Sequence, residues 1–155
     1  MKKPNLRPTD VHIVVNAKTK KMKCFDANGS MRWMIEAHCI GTGGAYTVYQ
    51  GDTPPGLYKC GTPDDVLSTD SDKSSYGPWF VPLVEQEGQL SRLGRAGLGV
   101  HGGGTGLADP YYASNQGWVA THGCIRVQNF DLNHVASTVK FVQKNGGTAW
   151  LSVHW

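Results

Sequence analysis

The residues Val119 to Val127 read Val-Ala-Thr-His-Gly-Cys-Ile-Arg-Val, which puts an imidazole, a thiol and a guanidinium at His122, Cys124 and Arg126. In extended backbone, side chains two apart leave on the same face, so all three are expected to meet. A free thiol has a pKa of roughly 8.5 and is mostly protonated at neutral pH, whereas its thiolate is the nucleophile. A neighbouring imidazole and guanidinium both favour that thiolate. A second histidine, His101, follows the apolar run Gly99-Val100 and opens the glycine run Gly102-Gly103-Gly104. Gly102 and Gly123 are the backbone candidates. A bare Gly102 carbonyl can orient the His101 ring, and the N–H groups at Gly123 and Cys124 can turn toward a developing oxyanion.

Two other chemistries use the same residue types, and two further readings do not. A zinc site of His101, His122 and Cys124 is chemically reasonable, but it leaves Gly123 unexplained and sets Arg126 beside a cation. A papain-like peptidase places its cysteine early, at a helix start, with the histidine later. Here His101 precedes Cys124, and the residues before Cys124 read as strand. A sugar-binding platform built from Trp33, Trp79, Trp118, Trp150 and Trp155 would need them together, yet they fall on separate strands and read as core or edge packing. A non-catalytic wall-binding module leaves the Cys124 set without a purpose. Cys24, Cys39 and Cys60 lie in apolar, strand-like surroundings and read as small buried hydrophobes. His12, His38, His134 and His154 read as structural or surface residues.

Strands must position the reactive set. Alternation predicts strands at Val11–Asn16, Met22–Phe25, Ser30–Ile40, Leu57–Cys60, Trp79–Val84, Leu98–His101 and Thr148–Val153. Asn28-Gly29 predicts a two-residue hairpin turn. Gly61–Tyr76, with Asp64, Asp65, Asp70 and Asp72, reads as an exposed polar loop whose spacing does not match a calcium loop. Leu132, Val135, Ala136, Val139 and Val142 recur at helical spacing and predict one helix over Asp131–Lys144. Asn129 or Asp131 is expected to cap it and Asn145-Gly146 to stop it. The expected architecture is mainly β, β-sandwich-like, with one C-terminal helix: residues 1–10 form a tail and 11–155 a single domain.

Composition limits the partners. Across 155 residues, 39% are hydrophobic and 17% charged, as in a soluble globular domain. A net charge of +3 from scattered lysines and arginines does not make a nucleic-acid surface. No apolar run approaches a membrane span or a signal core. Cytoplasmic synthesis, a trimmed chain, or non-classical delivery that needs no cleaved signal is therefore expected.

His101-Gly102, followed by Thr121-His122-Gly123-Cys124-Ile125-Arg126, resembles the signature of the L,D-transpeptidase (YkuD-like) family. Thr53-Pro54-Pro55-Gly56-Leu57-Tyr58 is similar to that family's Thr-Pro-x-Gly segment. The resemblance extends from Val11 to Val153. It implies Cys124 as nucleophile, His101 as general base, His122 as a second pocket imidazole and Arg126 and Thr121 as substrate or pocket residues. It further implies action in the periplasm or cell wall, peptidoglycan stem peptides as substrate, a thioester on Cys124, an amine or water as acceptor, and no cofactor or metal. Twenty positions separate His101 from Thr121, more than in compact members of the family. The additional Tyr111 and Tyr112 either line the substrate groove from a lid or sit in a packed loop. Family members usually carry an export signal or anchor. A chain without one resembles a phage-type lytic protein or an antibacterial effector, with an immunity or delivery protein as partner.

Overall fold

The computed structural model describes residues 3–68, 73–88, 90, 92–104 and 115–155. Its elements follow the chain as β1 (Val11–Asn16), β2 (Lys21–Asp26), β3 (Met31–Glu36), β4 (Gly56–Cys60), β5 (Asp64–Asp65), α1 (Lys73–Tyr76), β6 (Trp79–Gly88), β7 (Gly99–His101), β8 (Ile125–Arg126), α2 (Asn129–Lys144) and β9 (Ala149–His154). Among the described residues the strands form one nine-stranded sheet in the order β3-β2-β1-β9-β4-β6-β7-β8, with β5 paired to β6.

Alternation explains the first strands. Val11, Ile13 and Val15 of β1 point inward with Met22 and Cys24 of β2, and β1 pairs in parallel with β9. Past β3 the chain turns onto the opposite end of the sheet. His38 and Arg126 exchange backbone hydrogen bonds at 2.9 Å in each direction, and Gly41 bridges Thr121. The sheet therefore curls until its two ends meet. Inside the curl lie Ile13, Val15, Cys39, Tyr58, Val81, Val100 and Ile125. The apolar stripe of α2, Leu132, Val135, Ala136, Val139 and Val142, packs over β6, β7 and β9.

Several local expectations are corrected. The β2–β3 turn holds three residues, Ala27-Asn28-Gly29, because Asp26 and Ser30 close it (2.9 Å) and only Gly29 takes positive φ (+88°). A bulge after Cys24 absorbs the extra residue. The polar stretch before Tyr76 is not all loop, since β5 pairs with β6 and α1 precedes it. Residues 116–120 before Cys124 are irregular, and the strand β8 follows Cys124 instead. Helix α2 begins at Asn129 with Gln128 as N-cap and no side-chain cap. The Asn129 side chain is turned instead to the His101 loop. Asn145 and Gly146 end the helix as expected, with Gly146 at φ +78°.

The segment before β1 is tied down. Asp10 is buried and accepts from Arg7 N (3.0 Å) and Thr148 N (2.8 Å). Burial pushes its carboxyl up, but these hydrogen bonds outweigh it and hold it below the usual aspartate value.

Candidate active site

His101 ends β7, and the parallel pairing of Val100 with Ile125 and His101 with Arg126 sets it against β8. Cys124 and Arg126 lie two apart at the start of that strand. With His101 and His122 they line one cleft of about 420 Å3, whose wall includes Tyr76 and Phe80. A larger hollow of about 590 Å3, around Asp65, Trp79 and Phe130, contains no histidine or cysteine. The chemistry belongs to the smaller cleft.

The His101 ring is oriented and dry. Its Nδ1 lies 2.8 Å from the Gly102 carbonyl. A carbonyl only accepts, so Nδ1 carries the proton and, in the neutral ring, Nε2 keeps a free lone pair. Tyr76 meets the ring edge-on at 5.2 Å and Phe80 stacks at 5.9 Å, leaving the residue 5% exposed. Burial lowers its pKa to about 4; Arg126 acts in the same direction, and the Gly102 carbonyl acts against both. His101 is thus neutral at physiological pH and can accept a proton.

Cys124 is partly exposed, with Sγ 3.8 Å from the Gly97 carbonyl. Burial of the sulfur pushes the thiol up. A backbone hydrogen bond from Gly99 and the charges of Arg126 and Arg95 pull it down without cancelling the rise. The resting group is a thiol, not the ready thiolate expected from the neighbouring residue types, so its attack requires a proton acceptor. Cys24, Cys39 and Cys60 are free and buried, and burial lifts each to about 12.

The turn that bears Cys124 departs from extended backbone at Gly123, where φ is +115°, so side-chain alternation does not place His122. His122 is nonetheless exposed at the cleft. The Gly123 N–H donates to Thr121 Oγ1 (3.1 Å), and that hydroxyl donates to the Cys124 carbonyl (2.7 Å). Gly123 is therefore not an open oxyanion donor here, and Thr121 staples the turn. Nor does Gly102 supply a free donor, because its N–H bonds the Tyr76 carbonyl (2.8 Å). Its carbonyl takes both His101 Nδ1 and Arg126 Nη1 (2.7 Å). Arg126, with Nε on the Val119 carbonyl (2.7 Å), is buried and holds the pocket. Tyr111 and Tyr112 lie outside the described residues.

Three supports escape a reading of residue types. Thr53, fully buried, donates to the Gly123 carbonyl (2.7 Å) and carries the Thr-Pro segment to the Cys124 turn. Asn129 accepts from Gly103 N (2.7 Å), and a side chain at Gly102 would meet it at 2.2 Å, which explains the bare glycine beside His101. Arg95 lies against the other glycine, 2.1 Å from where a Gly123 Cβ would stand. The quoted Thr-Pro segment pointed to Thr53; nothing in the local sequence pointed to Arg95.

The family profile of the YkuD L,D-transpeptidase catalytic domain matches residues 10–149. No curated protein sequence matches the chain. Among solved structures, Bd1075 of Bdellovibrio bacteriovorus superposes with TM-score 0.64 at 17% identity, over 93% of this chain and 47% of that one. The helical cell shape determining protein Pgp2 of Campylobacter jejuni gives 0.62 at 18%, over 93% and 47%. An Enterococcus faecium L,D-transpeptidase mutant gives 0.56 at 13%, over 94% and 50%. The chain spans about half the length of these structures, and at such identities the likeness is one of fold.

Proposed function

The chain belongs to the YkuD family of L,D-transpeptidase catalytic domains, and from that premise we propose that it exchanges the terminal D-alanine of peptidoglycan tetrapeptide stems through Cys124. The observation that carries the assignment of roles is the His101 ring, neutral, bonded through Nδ1 to Gly102 and lining the same cleft as the thiol. His101 Nε2 takes the thiol proton as sulfur attacks the carbonyl of the third stem residue. The amide C–N bond breaks, a thioester forms, and the proton passes to the departing amine of D-alanine. An acceptor amine then attacks the thioester, and its displaced proton returns to sulfur through the same imidazole. The products are a 3→3 cross-link or an exchanged stem; water in the acceptor's place gives a tripeptide.

No carboxylate lines the cleft among the described residues, and Arg126 adds positive charge to its wall. This suits a stem peptide ending in a carboxylate. His122, exposed at the rim, is available to the acceptor side.

The test is incubation of the purified chain and Cys124→Ala with tetrapeptide muropeptides, followed by mass spectrometry. Cys124-dependent loss of one alanine is expected, and dimers, exchanged stems or tripeptides identify the acceptor. Equal product from Cys124→Ala would refute the mechanism. Use as an antibacterial effector rests on the same thiol. Directed to the bacterial periplasm, the wild-type chain should slow growth and Cys124→Ala should not.

A further inference from the structure

Arg95 lies on the segment that leads into β7 and is 7% exposed. Its four terminal N–H groups all go to main-chain carbonyls. Nη1 donates to Tyr46 O (2.6 Å) and Asp52 O (2.7 Å), and Nη2 to Gly51 O (2.8 Å) and His122 O (3.3 Å). The guanidinium thus joins the 46–52 loop to the nucleophile turn. Position 123 favours glycine through its φ of +115°, and Nη2 fills the place where a side chain would stand. No ion pair forms at Arg95 among the described residues. Asp52, the carboxylate that acts on Arg95, accepts at Oδ1 from the Gly41 N–H (2.8 Å).

A buried cation without a carboxylate is costly, and neutral donors could tie two loops together. What neutral donors cannot supply is a permanent positive charge beneath a turn that must carry a thiolate. We propose that Arg95 is a positioning residue for Cys124: its planar fork fixes the His122-Gly123 turn against the 46–52 loop, and its charge stabilises the thiolate when the proton leaves. This rests on Cys124 being the nucleophile. The other charged or titratable groups around the sulfur are Arg126, His101, His122 and Tyr76, which line the cleft; Asp52 and Tyr58 act on Arg95 itself.

The experiment is the pH profile of Cys124 alkylation by iodoacetamide, resolved by peptide mass spectrometry, in wild type, Arg95→Met and Arg95→Lys. Hydrogen–deuterium exchange and melting curves are recorded on the same samples. Arg95→Met should raise the profile's midpoint by about one unit, lowering alkylation at neutral pH about tenfold. Arg95→Lys keeps the charge but offers three donors to four carbonyls. It should keep the wild-type midpoint while deuterium uptake rises in residues 46–52 and 121–124. A folded Arg95→Met with the wild-type profile overturns the proposal. Should that variant fail to fold, Arg95→Lys decides: unchanged uptake in both loops, or a midpoint displaced by about one unit, overturns it. Alkylation reads the thiol without turnover. A shifted profile in a chain that leaves muropeptides untouched would refute the proposed reaction and leave the Arg95 inference standing.

Discussion

In the proposed reaction the proton acceptor must be neutral when substrate arrives, and the surroundings of His101 decide at what pH that holds. With burial lowering its pKa to about 4, the ring stays uncharged through the range where an ordinary imidazole, near 6.5, would titrate. The acid limb of kcat/KM should therefore fall near pH 4, and a limb centred near 6.5 would transfer the role of base to another histidine. Stability has a definite sign. Below about pH 6.5 the unfolded chain binds a proton at His101 that the folded chain refuses, so stability declines as pH falls toward 4. The loss attributable to this group approaches about 3 kcal/mol. Thermal melts between pH 4 and 8 should show that decline, and His101→Gln should flatten part of it. His101→Ala should lower turnover about 10²–10⁴-fold, against little effect for His134→Ala, which lies on α2 away from the cleft. The reverse order would overturn the assignment.

Secondary-structure elements hold these side chains through a few long-range bonds. Asn129, the first residue of α2, accepts from Gly103 N and so fastens the helix to the loop that follows His101. Asn129→Ala leaves that buried N–H unpaired, at a cost of about 1–3 kcal/mol, and should lower both melting temperature and turnover. Asn133→Ala, one turn along, loses only an exposed bond to Trp79 Nε1 and should leave turnover unchanged. Equal losses of turnover in the two variants would show that the Asn129 tie is not specific to the site. The sequence carried some of this framework. Alternating Val11-Ile13-Val15 and the helical spacing of Leu132 to Val142 are local patterns, and both elements stand where those patterns put them. The meeting of Cys124 with His101 in one cleft and the bond from His101 to the Gly102 carbonyl were also legible, because a thiol, an imidazole and a bare glycine announce themselves by type. Thr121, Gly123 and Arg95 were not. Each bonds through or to the main chain, which has no residue type to read, and Arg95 reaches Tyr46, Gly51 and Asp52 across more than forty positions. The four-residue α1 and the two-residue β5 are too short to produce a periodicity.

At the scale of the whole molecule, the curl of the sheet makes the site a product of closure. The turn bearing Cys124 lies where the continuation of β3 meets β8, through the His38–Arg126 and Gly41–Thr121 bridges. The join is reinforced by stacking of His38 on Trp118 (3.8 Å) and its bond to Glu36 (2.6 Å). The buried cysteines report on this closure from three places: Cys24 on β2, Cys60 on β4 and Cys39 on the stretch that crosses between the sheet's ends. If the curl opens only with global unfolding, all three thiols should react with a large maleimide at one common rate, at least about a thousandfold below that of an unfolded peptide. Cys124, partly exposed, should react first and separately. Low denaturant should raise the three slow rates together, with the slope of the equilibrium unfolding curve. Selective early labelling of Cys39, more than about tenfold ahead of Cys24 and Cys60, would show that the seam opens by itself and would overturn the single-unit reading. In that case activity should fall at the denaturant concentration that exposes Cys39, before the strands carrying Cys24 and Cys60 come apart.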